Sequence, residues 1–371
     1  MRNNKKISVI AGFCAACALF AFGGAGLKYA KAEDSVKQEV LPIARYDFSD
    51  AENPGKDSSG HGYDLIQTVH AKDGDLWKEE GNAGMGTVTG DGVLELSGAD
   101  ALSIYEKYDF SEKINAFTLN FRVKDDVTDN RGQMKCIVGF GYDFVKGTGN
   151  ERQILGFYTK NDINASNSKR RLYLFMTHVA TDNDNPWSGS APYVFEFDPN
   201  EFANVTLSIQ PGGKGYVKVN ETVIDLPYTS PKNALAQGKT DGTIPADWCE
   251  KYLRAGNDKR FCIGANVGYG KAYHGYKGWV DDVTVYDFAA TKEETAKYWE
   301  NGYKLYDTDI ADDRLITLLS DVKYESEAAP DITDVDTDEQ ILAKLGKNAY
   351  VEGTCKDGAS KTTLPVTWKA I

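Results

Sequence analysis

The chain has 371 residues, 55 of them acidic against 42 Lys plus Arg, for a formal net charge of -13. Its 41% hydrophobic and 12% aromatic content is too high for a disordered chain, and its length accommodates one to three domains with ample core. The acidic balance speaks against general affinity for nucleic-acid phosphates or anionic lipid, and 4 histidines with 6 cysteines against zinc clusters or a dense disulfide framework.

Residues 1–32 have the three parts of a secretory leader: Arg2, Lys5 and Lys6, then an uncharged run from Ile7 to Leu27, then Ala30-Lys31-Ala32 as a small-residue cleavage site. An uncleaved anchor is the rival reading, but Gly23-Gly24-Ala25-Gly26 weakens a continuous helix there. Cleavage removes five basic residues and no acid, so the mature charge becomes -18. It leaves Cys136, Cys249, Cys262 and Cys355, either with a Cys249–Cys262 bridge or as buried free thiols.

From about 41 to 288 the pattern is that of strands. Ala44–Phe48, Gly92–Leu96 and Phe117–Val123 alternate with period two, and apolar runs follow at Cys136–Phe140, Ile154–Tyr158 and Leu172–Met176. Val205–Ile209 and Tyr216–Asn220 flank Pro211-Gly212-Gly213, a hairpin turn. Trp279–Tyr286 closes the set, and Thr291-Lys292-Glu293-Glu294 is a capping box opening a short helix over about 291–300. Beyond 307 the tail holds 14 acids and 7 bases. It carries a helical stretch near Thr337–Leu345 and strand-like pieces at Ala349–Thr354 and Leu364–Lys369. The expected fold is all-β, a two-sheet antiparallel sandwich with a small α+β or Ig-like C-terminal module.

Four pieces in order carry a family resemblance. Tyr46-Asp47-Phe48 precedes Asp57-Ser58-Ser59-Gly60-His61-Gly62; then come Ala116–Val123, Phe261-Cys262-Ile263-Gly264 and Gly278–Tyr286 with its Asp281-Asp282 pair. Together they resemble the laminin-G-like, concanavalin A-like jelly rolls of secreted bacterial proteins. The resemblance implies a jelly roll at 41–303; with the leader at 1–32 and the acidic composition of the tail, the division is completed by an acidic linker at 304–336 and a partial Ig-like or other small module at 337–371. Leu364–Trp368 is similar to the end of bacterial Ig-like modules. The family hosts lectins, carbohydrate-binding modules, adhesins and glycoside hydrolases or lyases, so the fold alone does not select among them.

Three site readings follow. A structural calcium, often held in the resembled family by the D-x-S-G turn and the D-D-V strand, would use Asp57 with Asp281 or Asp282; alternation allows only one of that pair to face the ion. The bland alternative for Asp57 is an Asx-turn. Loop aromatics and their neighbours, Trp187, Trp248, Tyr273, His274 and Tyr276, are candidates to bind a glycan by stacking and hydrogen bonding, against the alternative that the rings pack inward. Finally, Glu196-Phe197-Asp198-Pro199-Asn200-Glu201 spells the E-x-D-x-x-E pattern of retaining β-glucanases. Those enzymes need two carboxylates about 5 Å apart on one strand face, and Pro199-Asn200 interrupts such a strand. The acidic run Asp331–Glu339 reads as a solvated linker.

These features point to a secreted, non-catalytic, lectin-like protein on a calcium-stabilised jelly roll, with a polysaccharide or other glycan as partner. They imply no nucleic acid, no membrane insertion after cleavage, and association with a cell wall or surface. The alternatives are a glycoside hydrolase, or an accessory fragment of one, and an adhesive or structural surface protein that binds protein.

Overall fold

The computed structural model describes residues 37–72, 78–104, 110, 114–129, 132–140, 142–145, 150–153, 155–163, 168–176, 193–226, 244, 246, 248–254, 260–268 and 271–310, with strands at 7–10, 316–319, 323–324, 349–355, 361–365 and 367–370. In chain order the strands begin with β1 (Ile7–Ile10), β2 (Ala44–Tyr46), β3 (Leu65–Gln67), β4 (Val69–His70), β5 (Gly81–Asn82), β6 (Thr87–Val88), β7 (Leu94–Ser97), β8 (Leu102–Ile104) and β9 (Phe117–Asp125). They continue with β10 (Lys135–Phe140), β11 (Tyr142–Val145), β12 (Asn150–Gln153), β13 (Leu155–Ile163), β14 (Arg170–Met176), β15 (Tyr193–Phe197), β16 (Ala203–Ile209), β17 (Gly215–Val219) and β18 (Thr222–Leu226). The last are β19 (Phe261–Ile263), β20 (Asn266–Gly268), β21 (Lys271–Tyr273), β22 (Lys277–Tyr286), β23 (Ile316–Leu319), β24 (Lys323–Tyr324), β25 (Ala349–Cys355), β26 (Lys361–Pro365) and β27 (Thr367–Ala370); α1 (Lys292–Glu300) follows β22.

The chain folds as two compact units, Pro42–Thr291 and Met1–Leu41 with Lys292–Ile371, so the helix expected to close a 41–303 domain groups with the second. In the first unit one sheet has eight strands, ordered β18-β17-β16-β9-β22-β7-β6 with β2 beside β22. The other has seven, β15-β14-β13-β10-β19-β8-β3. The strand pairings in both are antiparallel. The all-β, two-sheet antiparallel sandwich is the observed architecture.

Alternation explains why these sequences layer. In β9, Phe117, Leu119, Phe121 and Val123 are wholly buried in the core, while Thr118, Asn120 and Arg122 take the other face. Opposite them β13 sends Phe157 inward, its ring centroid 5.0 Å from that of Phe121. Phe110, Phe140 and Phe261 complete an aromatic cluster with centroids 5.1–6.0 Å apart. Each such ring contributes about 1.5–3 kcal/mol by leaving water. The β16–β17 hairpin closes where expected: the Gly213 amide donates to the Gln210 carbonyl at 3.0 Å, and Gly212 takes φ +78.

A smaller sheet, β20-β21-β4-β5, carries Val267, Ala272 and Ala83 in a cluster with Ala101 and Cys262 of the seven-stranded side. In the second unit, β25 pairs with β23, β24 and β26, and β1 pairs with β27. The strand pieces expected at Ala349–Thr354 and Leu364–Lys369 appear there as β25 to β27; the helical stretch near 337–345 and the acidic run 331–339 lie outside the described residues. Among the described residues no helix is long and apolar enough to cross a membrane.

Candidate functional site

On the outward face of the seven-stranded sheet, β13, β14 and β15 present a grid of side chains. On β14, Leu172, Leu174 and Met176 face the core, so Arg171, Tyr173 and Phe175 face out. Tyr158 of β13 stands opposite Tyr173, which stands opposite Val194 of β15; Arg171 stands opposite Glu196. Tyr173 and Arg171 are partly exposed, and Lys160, Val194 and Glu196 are exposed. The Arg171 Nε lies 4.0 Å from Glu196 Oε1.

The rings are held from beneath by two glycines facing each other across β10 and β13, Gly139 and Gly156. A Cβ on Gly156 would sit 2.6 Å from the Tyr158 ring, and one on Gly139 would sit 3.3 Å from the Cys136 sulfur. Their missing side chains let Tyr158 lie down against the sheet. Its hydroxyl donates to Asn266 Oδ1, and its ring meets Phe175 edge-on at 5.3 Å. Phe175 in turn stacks with Tyr173 at 6.4 Å. Burial pushes the Tyr158 hydroxyl and the Cys136 thiol well above their ordinary pKa values, so both stay protonated. Tyr158 and Phe175 are thus a fixed base, and Tyr173 is the ring with an accessible side.

The aromatic candidates fare differently. Trp187 lies outside the described residues. Trp248 is fully buried in the sandwich core, as is Tyr276, whose hydroxyl donates to the Lys124 carbonyl at 2.8 Å. These two placements correct the expectation of exposed stacking rings. Tyr276 turns inward because its neighbour Gly275 bridges to Cys136 and joins the segment to the sheet. Tyr273 and His274 are partly exposed, and the His274 carbonyl accepts the Cys136 amide at 2.9 Å. That segment lies three strand spacings from Tyr173, roughly 14 Å. Tyr173 itself is hidden in sequence by the unbroken apolar run around it; the signal available was the R-x-Y-x-F spacing of Arg171, Tyr173 and Phe175.

The calcium candidates are occupied by protein donors. Asp57 Oδ1 accepts the amides of Arg45 and Ser59 at 3.0 and 2.9 Å; Oδ2 accepts the Ser59 hydroxyl and the Tyr63 amide, both at 2.9 Å. Asp281 Oδ2 accepts Arg122 Nη1 at 2.7 Å, and Asp282 lies 3.9 Å from Arg45 Nη2. Calcium needs six to eight oxygens, several of them from uncommitted carboxylates. This donor set does not fit it: Asp57 pins a turn, and the Asp pair faces guanidinium groups. Among the described residues no three His, Cys, Asp or Glu side chains are grouped to hold a metal. Burial raises Asp282 to about 6, reinforced by Asp281 and opposed by Arg45.

Glu196 lies on β15, but Glu201 sits beyond its end, in a turn where Asp198 Oδ1 accepts the Asn200 amide at 2.9 Å. The E-x-D-x-x-E spacing therefore does not place its two glutamates on one strand face. Cys249 and Cys262 are free thiols that donate to different carbonyls, Asn115 and Gly139, each at 3.4 Å.

No family model and no curated protein matches the chain. Among solved structures it is similar to the botulinum neurotoxin type G receptor-binding domain, at 12% identity and TM-score 0.35 over 70% of this chain and 51% of that one. The binding domain of botulinum neurotoxin DC in complex with SialylT gives 12%, 0.39, 70% and 51%. Ruminococcus gnavus IT-sialidase CBM40 bound to α2,3-sialyllactose gives 12%, 0.33, 54% and 93%. The chain spans about half the length of the botulinum domains it matches. Similarities this distant leave the reading of the site to its own residues.

Proposed function

We propose that this chain is a secreted, non-catalytic carbohydrate-binding protein whose glycan lies on the outward face of the seven-stranded sheet. The observation that carries the reading is Tyr173, a partly exposed ring propped by Phe175 and flanked by Arg171 and Glu196. A sugar ring has an apolar face and a rim of hydroxyls; a fixed aromatic face beside charged hydrogen-bonding groups complements both. Strands rather than loops carry these groups, so little ordering cost falls on binding. Export is part of the proposal and rests on the leader-like residues 1–32. The test is a polysaccharide pull-down and glycan-array screen of the wild type and Tyr173→Ala. The wild type is expected to retain a glycan that Tyr173→Ala releases; no retention by either sinks the reading.

A further inference from the structure

The described residues of the same face carry exposed cations beside the ring. Acids outnumber bases by 13 over the full sequence. Among the described residues around Tyr173, Lys160, Lys169 and Arg171 stand with Glu196 and Asp198. Lys160 is exposed two residues beyond Tyr158, Lys169 is exposed just ahead of β14, and the Arg171 side chain is 39% exposed. Of the two acids, Asp198 is turned to its own loop, where Oδ1 accepts both the amide and the side-chain nitrogen of Asn200, at 2.9 and 3.1 Å. The cations are therefore at the ring, and half of the opposing charge is committed away from it.

Resting on the reading that this face binds glycan, we infer that its ligand is a glycan bearing a carboxylate, with the sugar on Tyr173 and the carboxylate against Arg171 and Lys160. A guanidinium fork matches a carboxylate in shape as well as charge, and a ligand that brings its own anion balances the surplus cation. The acidic remainder of the chain repels anionic glycans elsewhere, which confines them to this face and lowers unspecific retention. Two sugar classes supply the group, uronates and sialates, and both are probed.

The experiment measures binding of the full chain to polygalacturonate, to a sialylated oligosaccharide and to a neutral glucan, at about 0.01 M and about 1 M salt, where the screening length falls from about 30 to about 3 Å. Binding to a carboxylated glycan that weakens with salt, and by roughly 10-fold in Lys160→Gln/Arg171→Gln, is the expected result; whichever carboxylated probe binds identifies the source. Equal, salt-indifferent binding of the neutral glucan overturns the carboxylate inference and leaves glycan binding standing. Binding to none of the three, with an equally blank glycan array, overturns both. Melting curves of the double variant matching the wild type show that any loss is not unfolding.

Discussion

The two sheets of the sandwich share a core yet finish their outer faces in opposite ways. Outside the eight-stranded sheet stand small polar side chains, Thr118, Asn120, Thr206, Ser208 and Thr284, all nearly or fully buried. They are tied to the protein's own chain: Thr118 donates to the Phe288 carbonyl at 2.8 Å and accepts the Ala290 amide at 2.7 Å, and Ser208 donates to the Ala290 carbonyl at 2.9 Å. Tyr216 donates to the Thr291 carbonyl at 2.9 Å, and Thr206 to Asn120 at 2.7 Å. Outside the seven-stranded sheet stand rings and exposed charges. Along β9 and β16 hydroxyls seal segment 287–291 onto the sheet, while Trp279 on the same face is partly exposed with Lys124 Nζ 5.0 Å from its ring; along β13–β15 the accessible ring is Tyr173. Under the proposed reading, the second face is the one that meets the glycan.

The strongest way to break this contrast is at the end where both sheets are fastened together. Asp125, from the eight-stranded sheet, forms an ion pair with Arg170, from the seven-stranded one, and both side chains are almost fully buried. Lys135 and Asp129 pair beside them at 2.7 Å. Asp125→Ala leaves a buried guanidinium without its counter-ion, so a loss of about 3–5 kcal/mol is expected in denaturant unfolding. A loss below about 1 kcal/mol would show that the pair does not fasten the sheets.

Asp57→Ala comes next. It strands the Arg45, Ser59 and Tyr63 amides, and about 2–3 kcal/mol is expected to be lost. Because those donors fill the carboxylate, a chelator should leave the wild-type melting temperature unmoved. A chelator-dependent drop that Asp57→Ala removes would restore calcium at this turn. On the sealed face, Thr118→Val should cost about 1–2 kcal/mol and speed amide exchange across 287–291. Unchanged exchange would mean that hydroxyls are not what holds that segment.

A weaker effect follows from pH. Burial and the neighbouring Asp281 raise Asp282 to about 6, against the pull of Arg45 and Arg122. The unfolded chain titrates near 3.9, so between those values the folded state binds more protons than the unfolded one. The contribution is fully present at low pH and is lost as pH rises through about 6. Stability should therefore be higher at pH 5 than at pH 7, and Asp282→Asn should flatten the difference. A wild type that gains stability from pH 5 to 7 contradicts it.

How far the sequence discloses this molecule depends on which face a residue takes. Phe117–Val123 and the Val205–Val219 hairpin are legible because alternation and a Pro-Gly-Gly turn are local properties. The burial of Trp248 and Tyr276 is not, because it depends on where a loop returns: Tyr276 is inward only since Gly275 meets Cys136, far away in sequence. Tyr173 escapes for a related reason. Leu172–Met176 is apolar at every position, and period two has nothing to separate until Leu172 and Leu174 are seen to touch the core. Asp57 in its Gly-rich turn fits both an Asx-turn and an ion site from sequence alone, and only the donors around it separate the two.

The smallest stability effect carries the largest functional one. Tyr173 is partly exposed and its ring contacts run along the sheet surface, so Tyr173→Ala removes little from the core and should cost no more than about 1 kcal/mol. Thr118→Val, on the sealed face, should cost more yet leave glycan retention intact. The pair forms a double dissociation: one variant binds without full stability, the other is stable without binding. If Tyr173→Ala instead lost stability comparable to Asp125→Ala while retaining glycan, the ring would be a structural plug, and the accessible face would have to be sought elsewhere on the sandwich.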